Sequence, residues 1–122
     1  MGQMGIGCRE KGSGNGRRGY EYSGSDDLGE VGWYLGNSRK KKYDAKRTCE
    51  VGRKQGNELG NYDMSGNVWE WCFDQWGSAG RVLRGGSWYD DASAARVSHR
   101  THTDPADSDY GIGFRVVRSS AP

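Results

Sequence analysis

At 122 residues the chain holds at most one domain. Its formal net charge of +2, from 18 basic and 16 acidic residues, excludes a surface that is basic throughout. Hydrophobic residues make up 33%, with only four Leu and two Ile, so a core must be thin and built from rings; 5 Trp and 7 Tyr are available, each able to bury roughly 150–250 Å². The 21 glycines follow no Gly-X-Y period, which excludes collagen and points to a loop-rich chain. No apolar run reaches the roughly 18 residues that span a bilayer, and no signal-peptide apolar stretch is present, so no membrane insertion is expected. Cys8, Cys49 and Cys72 are odd in number and share no CxxC spacing. A reduced, cytoplasmic setting is the default expectation for such a set.

Residues 1–19 are rich in Gly and Arg without periodicity and read as an irregular lead-in. In residues 20–37 (YEYSGSDDLGEVGWYLGN), Ser25–Asp27 are candidate caps for one helical turn before a short segment at 30–35. Arg39–Lys42, Lys46 and Arg47 form a basic run with no aromatic interleaving, which reads as a solvated loop and not as a nucleic-acid site. One short strand is predicted near 48–52. Asp63-Met-Ser-Gly66 is a turn, because Asp bonds its own backbone and Gly takes the strained position. From Val68 to Phe73 the period is two; Trp69, Trp71 and Phe73 are assigned to the core face, and Val68, Glu70 and Cys72 to the other. Cys72 reads as a small packing residue. Residues 81–84 and 113–118 are further predicted strands, and 96–100 a brief one.

Three blocks in fixed order carry a resemblance: 57–73 (NELGNYDMSGNVWEWCF), 81–88 (RVLRGGSW) and 113–117 (GFRVV). Together they resemble the C-terminal half of the formylglycine-generating enzyme, or sulfatase-modifying factor, domain. The resemblance runs over about residues 20–118, and implies an α+β, C-type lectin-like fold, loop-rich with short antiparallel strands. Domains of that family are longer at the front, so an N-terminally shortened version is expected, with a partner chain or homo-oligomer as cover. Enzymes of the family hold copper with two cysteines after the Gly-Gly-Ser-Trp block. Here residues 88–114 contain no cysteine, and since soft thiolates suit Cu(I), no copper and no catalytic residue is expected.

The resemblance also implies a calcium loop. Asp63, Gly66, Val68 and Glu70 fall at i, i+3, i+5 and i+7, matching a site of the family. A hard cation takes six to eight oxygens, which carboxylates of Asp63 and Glu70 and carbonyls of Gly66 and Val68 begin to supply. The alternative is a plain Asp-Gly turn with Glu70 exposed or paired to an arginine.

Residues 89–111 (YDDASAARVSHRTHTDPADSDYG) lack Lys, Glu, Gln, Met and Trp, residues the rest of the chain uses freely. Those five share a property: none has a codon ending in cytosine. The pattern resembles the variable region of proteins diversified by retroelements, in which adenines of AAC codons are replaced. On that reading Ala92, Ser93, Arg96, Arg100, Pro105 and Ile112 are fixed. Tyr89, Asp90, Asp91, Ala94, Thr101, His102, Thr103, Asp104, Asp107, Asp109 and Tyr110 are the ligand-contacting positions. Tyr offers rigid contact area and the small polar residues adaptable hydrogen bonds, as in paratopes. Five Asp against two Arg favour a basic or polar protein partner. His99 and His102, at i and i+3, read as solvated, lacking a third ligand. The functional expectation is a non-enzymatic ligand-binding protein, and the alternative an inactive fragment of a formylglycine-generating oxidoreductase. An ordinary polar loop on a pseudo-domain is the plainest option.

Overall fold

The computed structural model describes residues 19–39 and 47–116. Chain order begins with α1 (Leu28–Val31), a single turn whose N-cap Asp27 accepts from Gly29 N at 2.9 Å. Ser25 supports the same turn, donating its hydroxyl to Glu30 Oε2 at 2.7 Å and accepting from Asp27 N. The capping expectation thus holds, and the turn places Leu28 and Val31 against Tyr22 and Ala95.

The sheet follows: β1 (Trp69–Trp76), β2 (Gly80–Arg84), β3 (Arg100–Thr103) and β4 (Ile112–Gly113), in the order β3-β2-β1-β4. β1 pairs β2 and β2 pairs β3 antiparallel, as expected, and the two-residue β4 runs parallel to β1. Three predicted strands are corrected. Residues 48–52 make turns, the strand expected at 96–100 starts only at Arg100, and the closing strand covers Ile112–Gly113. Residues 114–116 carry no ladder, and the rest of that strand, with the lead-in and Lys40–Lys42 and Lys46, lies outside the described residues.

The assignment of sides in β1 holds for Trp69, which is buried, and fails beyond it, where burial no longer follows the predicted alternation. Cys72 is buried against Val82, and Glu70 is buried too, while Trp71 is half-buried and Phe73 is 41% exposed under the Arg81 guanidinium. What lies across the ladder decides the side: Glu70 faces Arg84, and Trp71 faces Leu83. Ring size alone could not choose between them. A register shift between Trp71 and Gln75 then carries β1 on to Trp76. Cys72 is also disulfide-bonded, which corrects its reading as a plain packing residue, while Cys49 is free.

The turn before β1 joins these parts. Gly66 has φ +83°, and a Cβ there would lie 2.3 Å from the Trp33 carbonyl, so no side chain fits. Asn67, also left-handed at φ 68°, is buried and uses all four of its polar groups. Its N–H donates to Trp33 O at 2.7 Å and its carbonyl accepts from Trp88 N at 2.8 Å. Its side-chain amide bridges both backbone groups of Cys49 at 3.0 Å. Replacing Asn67 by Ala removes two buried hydrogen bonds and leaves a Cβ in the left-handed region, an expected cost of about 2–4 kcal/mol. Asn67→Gly, which keeps the backbone angle, is expected to be milder; denaturant unfolding of the two variants checks the ranking.

Candidate functional site

The positions expected to contact ligand lie between β2 and β4. Tyr89, Asp91, His102, Asp104, Asp107, Asp109 and Tyr110 are exposed; Asp90, Ala94, Thr101 and Thr103 are half-buried. The structure brings several of them together. Tyr89 packs its ring on Gly111, where a Cβ would come within 2.3 Å of Cε1. Its hydroxyl donates to Asp109 Oδ1 at 3.2 Å, an oxygen that also accepts from Gly111 N. Burial, and then the carboxylates of Asp109 and Asp90, push the Tyr89 phenol above its ordinary value, so it stays a neutral donor at physiological pH. Trp88 meets Tyr89 edge-on at 5.1 Å and donates Nε1 to Tyr110 O at 3.2 Å. That bond holds the backbone of Tyr110 while its ring stands 89% exposed.

A second group forms along β3. The Thr103 hydroxyl donates to Asp107 Oδ2 at 2.6 Å and Asp104 Oδ1 accepts from Ala106 N at 2.8 Å, folding the loop back on the strand. His102 lies stacked on Trp76, centroids 4.5 Å apart and planes 12° from parallel. Arg100, one of the positions read as fixed, lies 5.0 Å from the same ring. Asp91 caps the 3-10 turn Ala92–Ala95, accepting from the amide and hydroxyl of Ser93. Those bonds to Ser93 hold its carboxyl below the usual carboxylate range.

Asp90 has a different job. Its Oδ2 accepts from Trp69 Nε1 at 2.7 Å and from the Ser87 hydroxyl, and its carbonyl accepts from Leu35 N. A buried indole N–H needs an acceptor, and Asp90 supplies it, so it belongs to the scaffold and not to the contact positions. Arg96, read as fixed, pairs with Glu21 at 2.8 Å. His99 tilts against Trp69 and His102 against Trp76, so the two imidazoles serve different rings. No group of three His, Cys, Asp or Glu able to hold a metal occurs among the described residues.

The expected calcium ligands fall around a cavity of about 450 Å³ lined by Asp63, Val68 and Glu70 together with Val51, Tyr62, Phe114 and Arg115. Gly66 does not line it, and its N–H donates to Gly85 O. Asp63, buried at φ 56°, accepts from Gly52 N at 2.8 Å through Oδ2. Glu70 is held by Arg115, Nε to Oε1 at 2.9 Å and Nη2 to Oε2 at 3.2 Å, and Nη2 also donates to Tyr62 O at 2.8 Å. Chemically the donors suit a hard cation: two buried carboxylates and carbonyl oxygens, with no thiol or imidazole. Such an ion would share Glu70 with the guanidinium.

Comparison with known proteins places this geometry. The profile of the sulfatase-modifying factor enzyme 1-like domain matches residues 8–120. The chain belongs to that family. Within it, the chain is 36% identical over 118 residues to the chaperone protein LppX of Paenibacillus barcinonensis, covering 82% of this chain and 42% of that protein. It is 44% identical over 72 residues to the inactive C-alpha-formylglycine-generating enzyme 2 of Mus musculus, covering 52% and 23%. Among solved structures, Treponema denticola variable protein 1 superposes with a TM-score of 0.74 at 31% identity, covering 88% of this chain and 43% of that one. PvdO from Pseudomonas aeruginosa gives 0.71 at 25%, covering 93% and 51%. The chain thus spans less than half the length of LppX and of the Treponema protein. The fold is that of the formylglycine-generating-enzyme family, few helices around a small, mostly antiparallel sheet. No helix among the described residues is long and apolar enough to cross a membrane.

In this family member the sequence reading missed Trp76. The alternation seemed to end at Phe73, and only the register shift extends β1 to a ring in line with His102. The division between scaffold and surface gives a direct measurement. Asp90→Ala strands the Trp69 indole N–H, an expected loss of roughly 1.5–3 kcal/mol. Tyr110→Ala, at an exposed position, is expected within about 0.5 kcal/mol of the parent. Equal melting shifts for the two would contradict the division.

Proposed function

We propose that this chain is a non-catalytic recognition domain, a formylglycine-generating-enzyme scaffold that presents residues 89–110 to a ligand. One observation carries the reading. Seven of the eleven positions read as variable are exposed, and three of those read as fixed are tied to the fold: Ala92 beside the Tyr22–Val31 cluster, Arg96 on Glu21, Ile112 in β4. Likeness to a protein titled variable protein 1, and to an inactive relative of the enzyme, supports it. So does the absence of cysteine from residues 88–114, where enzymes of the family carry their copper ligands. The retroelement origin of the segment is part of the proposal, with Tyr89, Asp91, Ala94, Thr101, His102, Thr103, Asp104, Asp107, Asp109 and Tyr110 as contact positions. Its five aspartates make a basic or polar protein surface the favoured ligand. Nucleic acid is not proposed.

The test is a display library that randomises those ten positions and leaves Asp90, Ala92, Arg96 and Arg100 intact. Selection against a panel of unrelated proteins is expected to return folded binders whose specificity follows the randomised residues. Binders that map elsewhere, or a library that unfolds, would remove the proposal.

A structural Ca²⁺ is the second part of the reading. Asp63 and Glu70 would hold it with the carbonyl of Val68, Gly66 lying outside the cavity lining, its role being to tie the 63–70 turn to the sheet. Millimolar Ca²⁺ is expected to raise the melting temperature over an EDTA-treated sample, and Glu70→Gln to abolish the increment. Identical melting curves with and without the ion would exclude a resident site.

A further inference from the structure

Three arginines of the described residues each hold a carboxylate: Arg53 pairs with Glu50, Arg96 with Glu21 and Arg115 with Glu70. Arg84 and Arg100 are different, for neither forms an ion pair among the described residues. They also stand directly opposite each other in the antiparallel ladder, Arg84 on β2 and Arg100 on β3. Side chains at opposed positions lie on the same side of a sheet, and like charges placed so repel.

Local contacts position both groups without neutralising either. Arg84 is half-buried and donates Nη1 to Val97 O at 3.2 Å, which leaves Nε and Nη2 without a partner among the described residues. Burial, and then the charge of Arg100, hold its guanidinium below the ordinary value, and Asp74 opposes them by its charge alone. Arg100 is exposed, its guanidinium 5.0 Å from the Trp76 ring. His102, two residues on and on the same side of β3, stacks on that ring at 4.5 Å. A half-buried cation facing a like charge costs stability, and neither the Val97 carbonyl nor the ring brings a full negative charge to offset it. A cost of that kind is expected where a surface is kept for binding.

We propose that Arg84 and Arg100 form an oxyanion subsite that takes the carboxylate of an aspartate or glutamate side chain on the protein ligand. The inference rests on the recognition reading above and deepens it by naming one fixed contact. Neither position is among those read as variable, so the anchor persists while its neighbours Thr101 and His102 change. A guanidinium donates to carboxylate oxygens as a planar fork, and two such groups can share one carboxylate. The bound anion also removes the repulsion between them. With aspartates along the segment and this pair beside it, the surface carries both signs of charge. A ligand of matching pattern is then held in a single orientation.

The experiment follows the Nε–H resonances of Arg84 and Arg100 in the full chain, assigned through Arg84→Lys and Arg100→Gln, during titration with the peptide acetyl-Gly-Glu-Gly-amide. Saturable shifts of both are expected. The glutamine peptide, a neutral isostere, should shift them several-fold less at equal concentration. Arg100→Gln, an exposed change, should weaken the glutamate peptide about three-fold as read at Arg84, the size of an exposed charge pair. Arg100→Lys, which keeps the charge, should recover part of that loss. Inorganic phosphate separates a side-chain carboxylate from a free oxyanion: saturation by phosphate with no response to the glutamate peptide would overturn the assignment to a protein ligand. No shift, or equal shifts with glutamate, glutamine and lysine peptides, would overturn the subsite itself. Library binders obtained alongside silent arginines would remove the subsite alone. Responding arginines together with failed selections would support the subsite and remove the wider display surface.

Discussion

Asn67 is the constraint on which this fold depends. Four short strands and one helical turn leave most of the backbone without a ladder, yet buried N–H and C=O groups must be paired. Asn67 meets that need for three separate segments. Its main chain joins Trp33 on one side and Trp88 on the other, while its amide imitates a strand neighbour for Cys49. The left-handed backbone lets one residue point its groups in these divergent directions, and Asn is among the few non-glycine residues that adopt it readily. Gly66 next to it removes the only side chain that would keep the Trp33 segment away.

The closing segment is tied by a second polar device. Arg115 follows β4 and returns to grip Glu70 on β1 and the carbonyls of Tyr62 and Asp63. Glu70 is largely buried, so its charge is tolerable only because the guanidinium satisfies both oxygens. β4 itself contributes only two residues to the sheet, and Arg115 adds a side-chain tie just after it. Asn67 and Arg115 thus bracket the turn at 63–66 from both sides. A cation bound at the same turn would reinforce an attachment that already exists.

Much of this was readable in the sequence where chemistry is local. The Asp63–Gly66 turn, the Asp27 cap and the strand before Gly85-Gly86 follow from residue type and near neighbours alone. The readings that failed needed a partner distant in the chain. Period two in β1 gives two faces, but only the opposing Val82 and Arg84 reveal that Cys72 and Glu70 turn inward. Asp90 has a surface residue's composition and a scaffold residue's role, because its partner, the Trp69 indole, is far away in sequence. The alternative weighed for Glu70, pairing with an arginine, is what the structure contains, and Arg115 stands in the third motif block. The exposure of Tyr89, Asp104 and Tyr110 needed no partner at all, being what a polar segment without periodicity does by default.

The same contrast between near and distant partners runs through the segment at 89–110. Around residues 89–110 the bonds that set the backbone run mostly between main-chain groups: Trp88 N to Asn67 O, Trp69 N to Gly111 O, Val97 N to Glu21 O. Side chains add to these bonds, both from fixed or outside positions, as with Arg84 on Val97 O and Arg96 on Glu21, and from variable ones, as with Asp91 on Ser93 N, Asp104 on Ala106 N and Asp109 on Gly111 N. Exchanging Asp107 or Tyr110 removes contacts made by that residue and leaves the path of the chain to others. Asp90 breaks this pattern, since its carboxylate reaches the interior, and variation at that one position would be felt by β1. The tolerance of each position is therefore set by whether its side chain holds a neighbouring amide, as Asp91, Asp104 and Asp109 do.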